Sequence, residues 1–351
     1  MIIVIFWAFW LLNLFCLLLK KKNILIALLM LIILVYIGFM NTGSNDYDHY
    51  VWMYNGWHSD TESGFVDLLE LSNKVGLSFA QFQGLILTFC ILIDLYVFSR
   101  FSDNYNMFFA LYCIYQFFSD VNLLRNTLMK SFILLALYFL IKNQKVFFAL
   151  LIVFASFIHR TAIVYLPLLF FNTDKPISKK TLKILISSIT LICSILFIIG
   201  NRFEWLYNIA ANYYNNSMEK VNYYFTTSTR FGFLVYFALH LSCLILIINN
   251  KKEIMYLDES IDKQKLCNWV YIFNIYALVS FPLIMMNINF FRIYNNLYFV
   301  NIISFAVIID CYNKLTRSYY IKVILFLFIN IIYILPIIQG SNQRDLILNS
   351  I

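Results

Sequence analysis

The sequence predicts an all-α fold, a polytopic transmembrane helical bundle of about 11–12 membrane segments that includes a helical hairpin at 146–171. Three observations carry this expectation. Of 351 residues, 62% are hydrophobic and 19% aromatic. Only 13% are charged, against roughly 25% in soluble domains, so the chain cannot cover its own surface in water. Apolar stretches recur from end to end, near the ~20-residue length a bilayer asks of a helix.

Taken in order, the expected spans are 2–19, 23–40, 79–98, 105–119, 127–141, the hairpin, 184–199, 231–248, 268–286, 294–311 and 323–337. The first reads as a span and not as a removable signal peptide: it lacks a basic start and a small-residue cleavage site, and its cations follow it. Segment 146–171 is long for one crossing and is interrupted by Ser156, His159, Arg160 and Thr161. Charge bias decides its path, because cytoplasmic loops collect Lys and Arg. With the chain starting outside and 146–171 going out and back, 17 of the 26 basic residues face the cytoplasm, among them Lys20–Lys22, Lys142, Lys145, Lys251, Lys252 and Lys322. A single crossing would reverse every later loop and remove that lead.

This topology places 41–78, about 120–126, 159–161, 200–230, 287–293 and the tail after 338 outside. Residues 1–338 are expected to form one transmembrane domain, with outer loops near 41–78 and 200–230, followed by a short polar tail at 339–351. The first loop carries Asp46, Asp48, Asp60, Glu62, Asp67 and Glu70 against Lys74. Within it, Phe65, Leu68, Leu69, Leu71, Val75 and Leu77 alternate with polar residues, the pattern of an amphipathic helix lying on a membrane surface.

Several classes are excluded. Seven cysteines show no CxxC and sit mostly in apolar runs, so neither a disulfide framework nor a thiolate metal site is expected. The net charge of +8 contains no basic run longer than Lys20–Lys22, so it reads as topology and not as a nucleic-acid surface. No P-loop, GxSxG or HExxH is present, and no internal repeat is evident.

Ionisable groups near membrane depth are costly and point to function by default. Arg125, Arg160, Arg230 and Arg292 all fall at the starts of segments running inward from the outer face, with His159 beside Arg160 at the hairpin turn. Helix N-termini attract anions, so an arginine in the same turn is unfavourable for the helix itself. Four such placements on one face suggest a site for a strongly anionic group, a phosphate or pyrophosphate. The plainer reading is snorkelling to lipid headgroups, which suits Arg230 better than Arg125 or Arg292. For His159 it is a hydrogen bond within the core, and the same role is expected of His240 between helices. Asp48, His49, His58, Asp60 and Glu62 are a metal-ligating set in type only, and no metal is expected there. Tyr47, Tyr50, Trp52, Tyr54 and Trp57, with Trp205, Tyr207, Tyr213, Tyr214, Tyr223 and Tyr224 later, fit an interfacial belt. Interleaved with acids, they also fit a saccharide surface.

Several stretches together resemble the EpsG family, the Wzy-like polymerases of exopolysaccharide and capsule synthesis. They are NDYDHYVWMY, the turn Glu62-Ser63-Gly64-Phe65, a helix ending Val75-Gly76-Leu77, LLRNTLMKSFILLALYFLIKNQKVFFALLIVFASFIHRTAIVYLPL, and FFRIYNNLYFV. Asn126 departs from the glutamine that usually follows the arginine in this family. The resemblance covers about residues 1–335.

The resemblance implies polymerisation of polyprenyl-pyrophosphate-linked oligosaccharide repeat units on the outer face of a bacterial cytoplasmic (inner) membrane. Arg125 and Arg292 are expected to bind the pyrophosphate, with Arg160 as an auxiliary. His159 is the first choice for base or pyrophosphate donor and Asp48 the second for base. Asp46, Tyr50 and Glu62 are expected to contact the glycan. No cofactor is expected, because the donor is already activated. Membrane lipid, a flippase and a chain-length regulator are the expected partners. A flippase would show two related halves, which are not evident here. A membrane O-acyltransferase would need its histidine on the cytoplasmic side, whereas His159 points outward. An O-antigen ligase shares the chemistry with a different acceptor.

Overall fold

The computed structural model describes residues 2–42, 46–57, 61–171, 178–199, 231–257, 261–312 and 316–339. His58, Asp60, Arg230, the aromatic residues of 200–230 and the tail from 340 lie outside the described residues. Among those described there is no strand, and the chain is an all-α polytopic bundle. The helices are α1 (Ile2–Leu18), α2 (Ile24–Met40), α3 (Tyr47–Tyr54), α4 (Ser63–Lys74), α5 (Phe79–Ser99), α6 (Tyr105–Tyr112), α7 (Gln116–Asn122), α8 (Leu124–Ile141) and α9 (Lys145–Ile158). A 3-10 arm, Arg160–Phe170, follows. Then come α10 (Lys179–Ile198), α11 (Phe233–Leu257), α12 (Ile261–Ala277), α13 (Phe281–Met286), α14 (Arg292–Asp310) and α15 (Arg317–Gln339).

Six helices are long and apolar enough to cross a bilayer, and four shorter apolar ones include both arms at 145–170. The bundle is dressed for lipid. Ile32, Leu191 and Phe328 are more than half exposed, while Asn13, Asn106, Asn274 and Asn301 are buried. In a bilayer apolar faces gain little by meeting each other, so close backbone approach and interhelical hydrogen bonds do the joining. Gly84 of α5 lies against Phe39, whose ring would stand 2.3 Å from any Cβ there. Asn106 donates to Asn13 at 2.9 Å, and Asn274 to Asn301 at 2.7 Å. His240 packs flat on Tyr294 at 4.0 Å and meets the Asn274 carbonyl at 3.0 Å, the helix-to-helix bond expected of it.

The hairpin is directly visible. Lys145, at the start of α9, donates to the carbonyl of Leu169, near the end of the 3-10 arm, so the chain leaves and returns. At about 1.5 Å per residue for α9 and about 2.0 Å for the arm, both limbs reach roughly 21–22 Å, short of the ~30 Å hydrocarbon core.

Two expectations need correction. The expected span 105–119 is two helices, α6 and α7, bent between Cys113 and Tyr115. No glycine or proline announces the bend; Tyr115 is instead held from outside, its hydroxyl donating to Asn295 at 2.7 Å. The region expected as 268–286 starts earlier, at Ile261, and breaks into α12, a 3-10 turn and α13.

Ion pairs gather the loops into two sets. At one end Lys22 pairs with Asp103, Lys142 with Asp262 at 3.0 Å and Lys322 with Glu253 at 2.7 Å. The other end holds α3, α4, the start of α8, the hairpin tip and the start of α14. Helix α4 is the amphipathic helix expected in the first loop, with Phe65 and Leu69 buried and Leu71 exposed.

Candidate functional site

Helix α8 begins without a side-chain cap: Leu123 precedes it, and its first N–H groups lack helical partners. One is met by α3, since the Arg125 N–H donates to the Tyr50 hydroxyl at 3.3 Å. The Arg125 guanidinium donates to Glu62 at 2.8 Å, with the two side chains 25% and 10% exposed. Glu62 stands at the N-cap position of α4. Its other oxygen accepts the Arg160 N–H at 3.0 Å and lies 3.8 Å from His159 Nδ1. Glu62 is therefore a junction between the first loop, α8 and the hairpin tip. Gly64 makes the junction possible, because a Cβ at that position would stand 2.9 Å from the Phe157 carbonyl.

His159 ends α9 in an extended conformation, and its Nδ1 accepts the Thr161 N–H at 3.4 Å. With Nδ1 so occupied, the neutral ring carries its proton on Nε2. Burial first, then the Arg125 charge, push its pKa down to about 4 against the pull of Glu62. His159 is thus neutral near pH 7. Burial pulls Glu62 upward, but Arg125, the Arg160 N–H and His159 outweigh it and hold the carboxylate below its usual range.

These elements enclose a cavity of about 210 Å³ whose lining includes Arg125, Arg292, His159, Asp46 and Tyr50. Arg292 opens α14 and makes no ion pair with a described residue. Asp46 precedes α3, and burial raises its pKa despite the opposing charges of Arg292, His49 and Arg125. Helix α8, the hairpin arm and α14 are tied together beside the cavity, whose lining also includes Asn126. Asn126 and Asn296 exchange amide hydrogen bonds at 3.0 and 3.4 Å, and the Tyr165 hydroxyl donates to the Ile293 carbonyl at 2.7 Å. Asn126 therefore links α8 to α14 one residue from Arg125.

The structure brings five of the eight expected site residues to this cavity and places three elsewhere. Arg160 is exposed and contributes its backbone N–H. Asp48 is exposed on α3 and is not part of the lining. Glu62 backs the site, with both oxygens engaged by the protein. Tyr50 lines the cavity but is only 6% exposed. Among the described residues no group of His, Cys, Asp and Glu is arranged to hold a metal.

Sequence reasoning missed a second polar cluster deeper in the bundle. Lys130 of α8, fully buried, lies 2.5 Å from Asp120 of α7 and 3.3 Å from Asp94 of α5. The available signal was Asp94, the one charged residue within the apolar run 79–98.

The model of the EpsG family matches residues 3–348, nearly the whole chain. No curated protein and no solved structure matches it.

Proposed function

From the premise that the chain belongs to the EpsG family, Wzy-like polymerases of exopolysaccharide synthesis, we propose that it joins polyprenyl-pyrophosphate-linked oligosaccharide repeat units at the cavity end of the bundle. In this reading that end faces outward from the bacterial cytoplasmic membrane, since the opposite end carries the lysine-rich loops. The observation that carries the proposal is the meeting of Arg125 and Arg292, from two different helices, with His159 in one cavity.

The cavity volume supports a division of labour. About 210 Å³ is below the ~300–1,000 Å³ of pockets for drug-sized ligands, so it suits a pyrophosphate and leaves the sugars outside. Trp52 and Trp57, exposed on the first loop, offer apolar faces to them. In the reaction an acceptor hydroxyl oxygen bonds to C1 of the growing chain, and the C1–O bond to the pyrophosphate breaks. The electron pair leaves with the pyrophosphate, and its growing charge is met by Arg125, Arg292 and the open N–H groups of α8. His159, neutral with Nε2 protonated, donates a hydrogen bond to the same anion. The hydroxyl proton goes to Asp46, the cavity-lining carboxylate with a raised pKa. Asp48, being exposed and off the cavity, is left as a glycan contact.

The test is farnesyl pyrophosphate binding to purified protein, with polymer length on a gel as the second readout. Arg292→Ala should weaken binding about tenfold or more, the scale of one lost charged hydrogen bond, and leave cells accumulating single repeat units. Unchanged binding in both Arg292→Ala and Arg125→Ala refutes the pyrophosphate reading.

A further inference from the structure

The break between α7 and α8 places Arg125 in the cavity, yet nothing local explains it. Leu123 has φ −116° and ψ 57°, outside helical values, and neither glycine nor proline is near. A continuous helix from 116 to 141 would satisfy the N–H groups that the break leaves open, so tertiary contacts must hold the two helices apart.

Those contacts converge on Asp120. Its carboxylate accepts from Tyr112 of α6 at 2.8 Å, from Gln116 at 2.9 Å and from Lys130 of α8 at 2.5 Å. Thr127, in the turn of α8 below Arg125, donates to the Asp120 backbone carbonyl at 2.9 Å. Asp120 thus grips α8 from across the break at two successive turns. Lys130 also faces Asp94, which accepts from Ser131 at 3.0 Å, and lies over the Phe299 ring at 5.6 Å. The whole cluster is buried, and none of its members lines the cavity.

We propose that the Asp120–Lys130 pair, with Thr127, is a positioning device that fixes the break at Leu123 and so aims Arg125 into the cavity. Asp94 supplies the second carboxylate from a helix that takes no part in the break. The proposal rests on the reading of Arg125 as a pyrophosphate ligand, but the device has a signature of its own. Asp94→Asn and Asp120→Asn each remove one negative charge from beside the same buried ammonium. Loss of that charge is common to both variants, Asp120 being the nearer at 2.5 Å against 3.3 Å; only Asp120 stands across the break, and Thr127, which carries no charge, shares its grip.

The experiment places a cysteine at the gripped position, Arg125→Cys, and measures its labelling rate by a membrane-impermeant thiol reagent on the peptide carrying residue 125. Asp120→Asn in that background should change the rate about tenfold or more, the effect expected from one lost charged hydrogen bond, and Asp94→Asn by less than about twofold. Thr127→Val keeps every charge and should shift the rate in the same direction as Asp120→Asn. It keeps the test open if Asp120→Asn does not insert. Equal rates in the Asp94 and Asp120 variants, or no shift with Thr127→Val when Asp120→Asn is absent from the membrane, overturn the proposal. With Arg125 restored, Asp120→Asn should weaken farnesyl pyrophosphate binding about tenfold at unchanged protein amount. If wild-type protein does not bind that probe, the pyrophosphate reading falls, while the labelling rates still decide the clamp.

Discussion

Glu62 occupies the Arg125 guanidinium that, on the proposed reading, holds the pyrophosphate, so replacing it tests whether substrate and carboxylate compete. Glu62→Gln keeps the shape and an acceptor for the Arg160 N–H while removing the charge. Two unit charges about 4 Å apart attract by about 4 kcal/mol at an effective dielectric near 20. The pair is neither at the surface nor fully enclosed, with exposures of 25% and 10%, and desolvation offsets about half of that attraction. About 2 kcal/mol remains, equivalent to roughly 30-fold in a dissociation constant. Glu62→Gln should therefore bind farnesyl pyrophosphate about 10- to 30-fold more tightly than the native protein, read by titration in detergent or nanodiscs. Weaker binding by the variant would refute the reasoning. It would mean that Glu62 chiefly orients Arg125, so that losing the carboxylate costs the site more than competition withheld.

Four further outcomes follow from the same geometry. His159→Gln retains a donor and should keep most polymerisation, whereas Asp46→Asn should leave single repeat units; the reverse result on polymer gels would make His159 the base. Activity should fall as pH drops into the range where Asp46 protonates, above the ordinary carboxylate value because burial raises it, and stay level from neutral upward, since His159 with a pKa of about 4 is already neutral there. Gly64→Ala should lose most activity with the protein still inserted, because a Cβ 2.9 Å from the Phe157 carbonyl must push α4, and Glu62 with it, off the hairpin tip. A cysteine at Asn73 should react with an impermeant thiol reagent in intact cells and one at Gln144 should not; labelling at Gln144 from outside would invert the topology.

The architecture was legible because bilayer physics writes it in long words. Span lengths and lysine placement do not depend on tertiary detail, and the hairpin at 146–171 showed through both its length and its charge bias. The α6–α7 bend and the α7–α8 break were not legible, since the first is held by Asn295, 180 residues away, and the second, on the proposal above, by side-chain bonds from Asp120 to Lys130 and Thr127 that only the fold brings about. For the site, one-dimensional reasoning could name cations out of place in apolar surroundings, and Arg125, Arg292 and His159 do share a cavity. It could not tell Asp46 from Asp48, because two residues along a short helix decide which carboxylate faces inward. Nor could it separate Glu62 as a glycan contact from Glu62 as an internal counter-ion, since that depends on its 2.8 Å approach to Arg125.

The electrostatics of the cavity lining bear on the order in which a substrate would load. An arginine in the first turn of a helix opposes about half a positive charge from the helix itself. For Arg125 that cost is met by Glu62. Arg292 has no ion pair with a described residue, and Asp46 acts on it only through the longer-range attraction that opposes the rise in its own pKa. Among the described residues, the start of α14 is therefore the less compensated of the two cationic ends, and the one with most to gain from an incoming anion. On the proposed reading, a pyrophosphate engages Arg292 first and then displaces Glu62 from Arg125. The carboxylate released in the second step remains held by the Arg160 N–H, beside His159. Capture would then depend on Arg292 alone, while closure of the site around the leaving group would depend on the exchange at Arg125, so the two arginines, though alike in charge, do not have interchangeable roles.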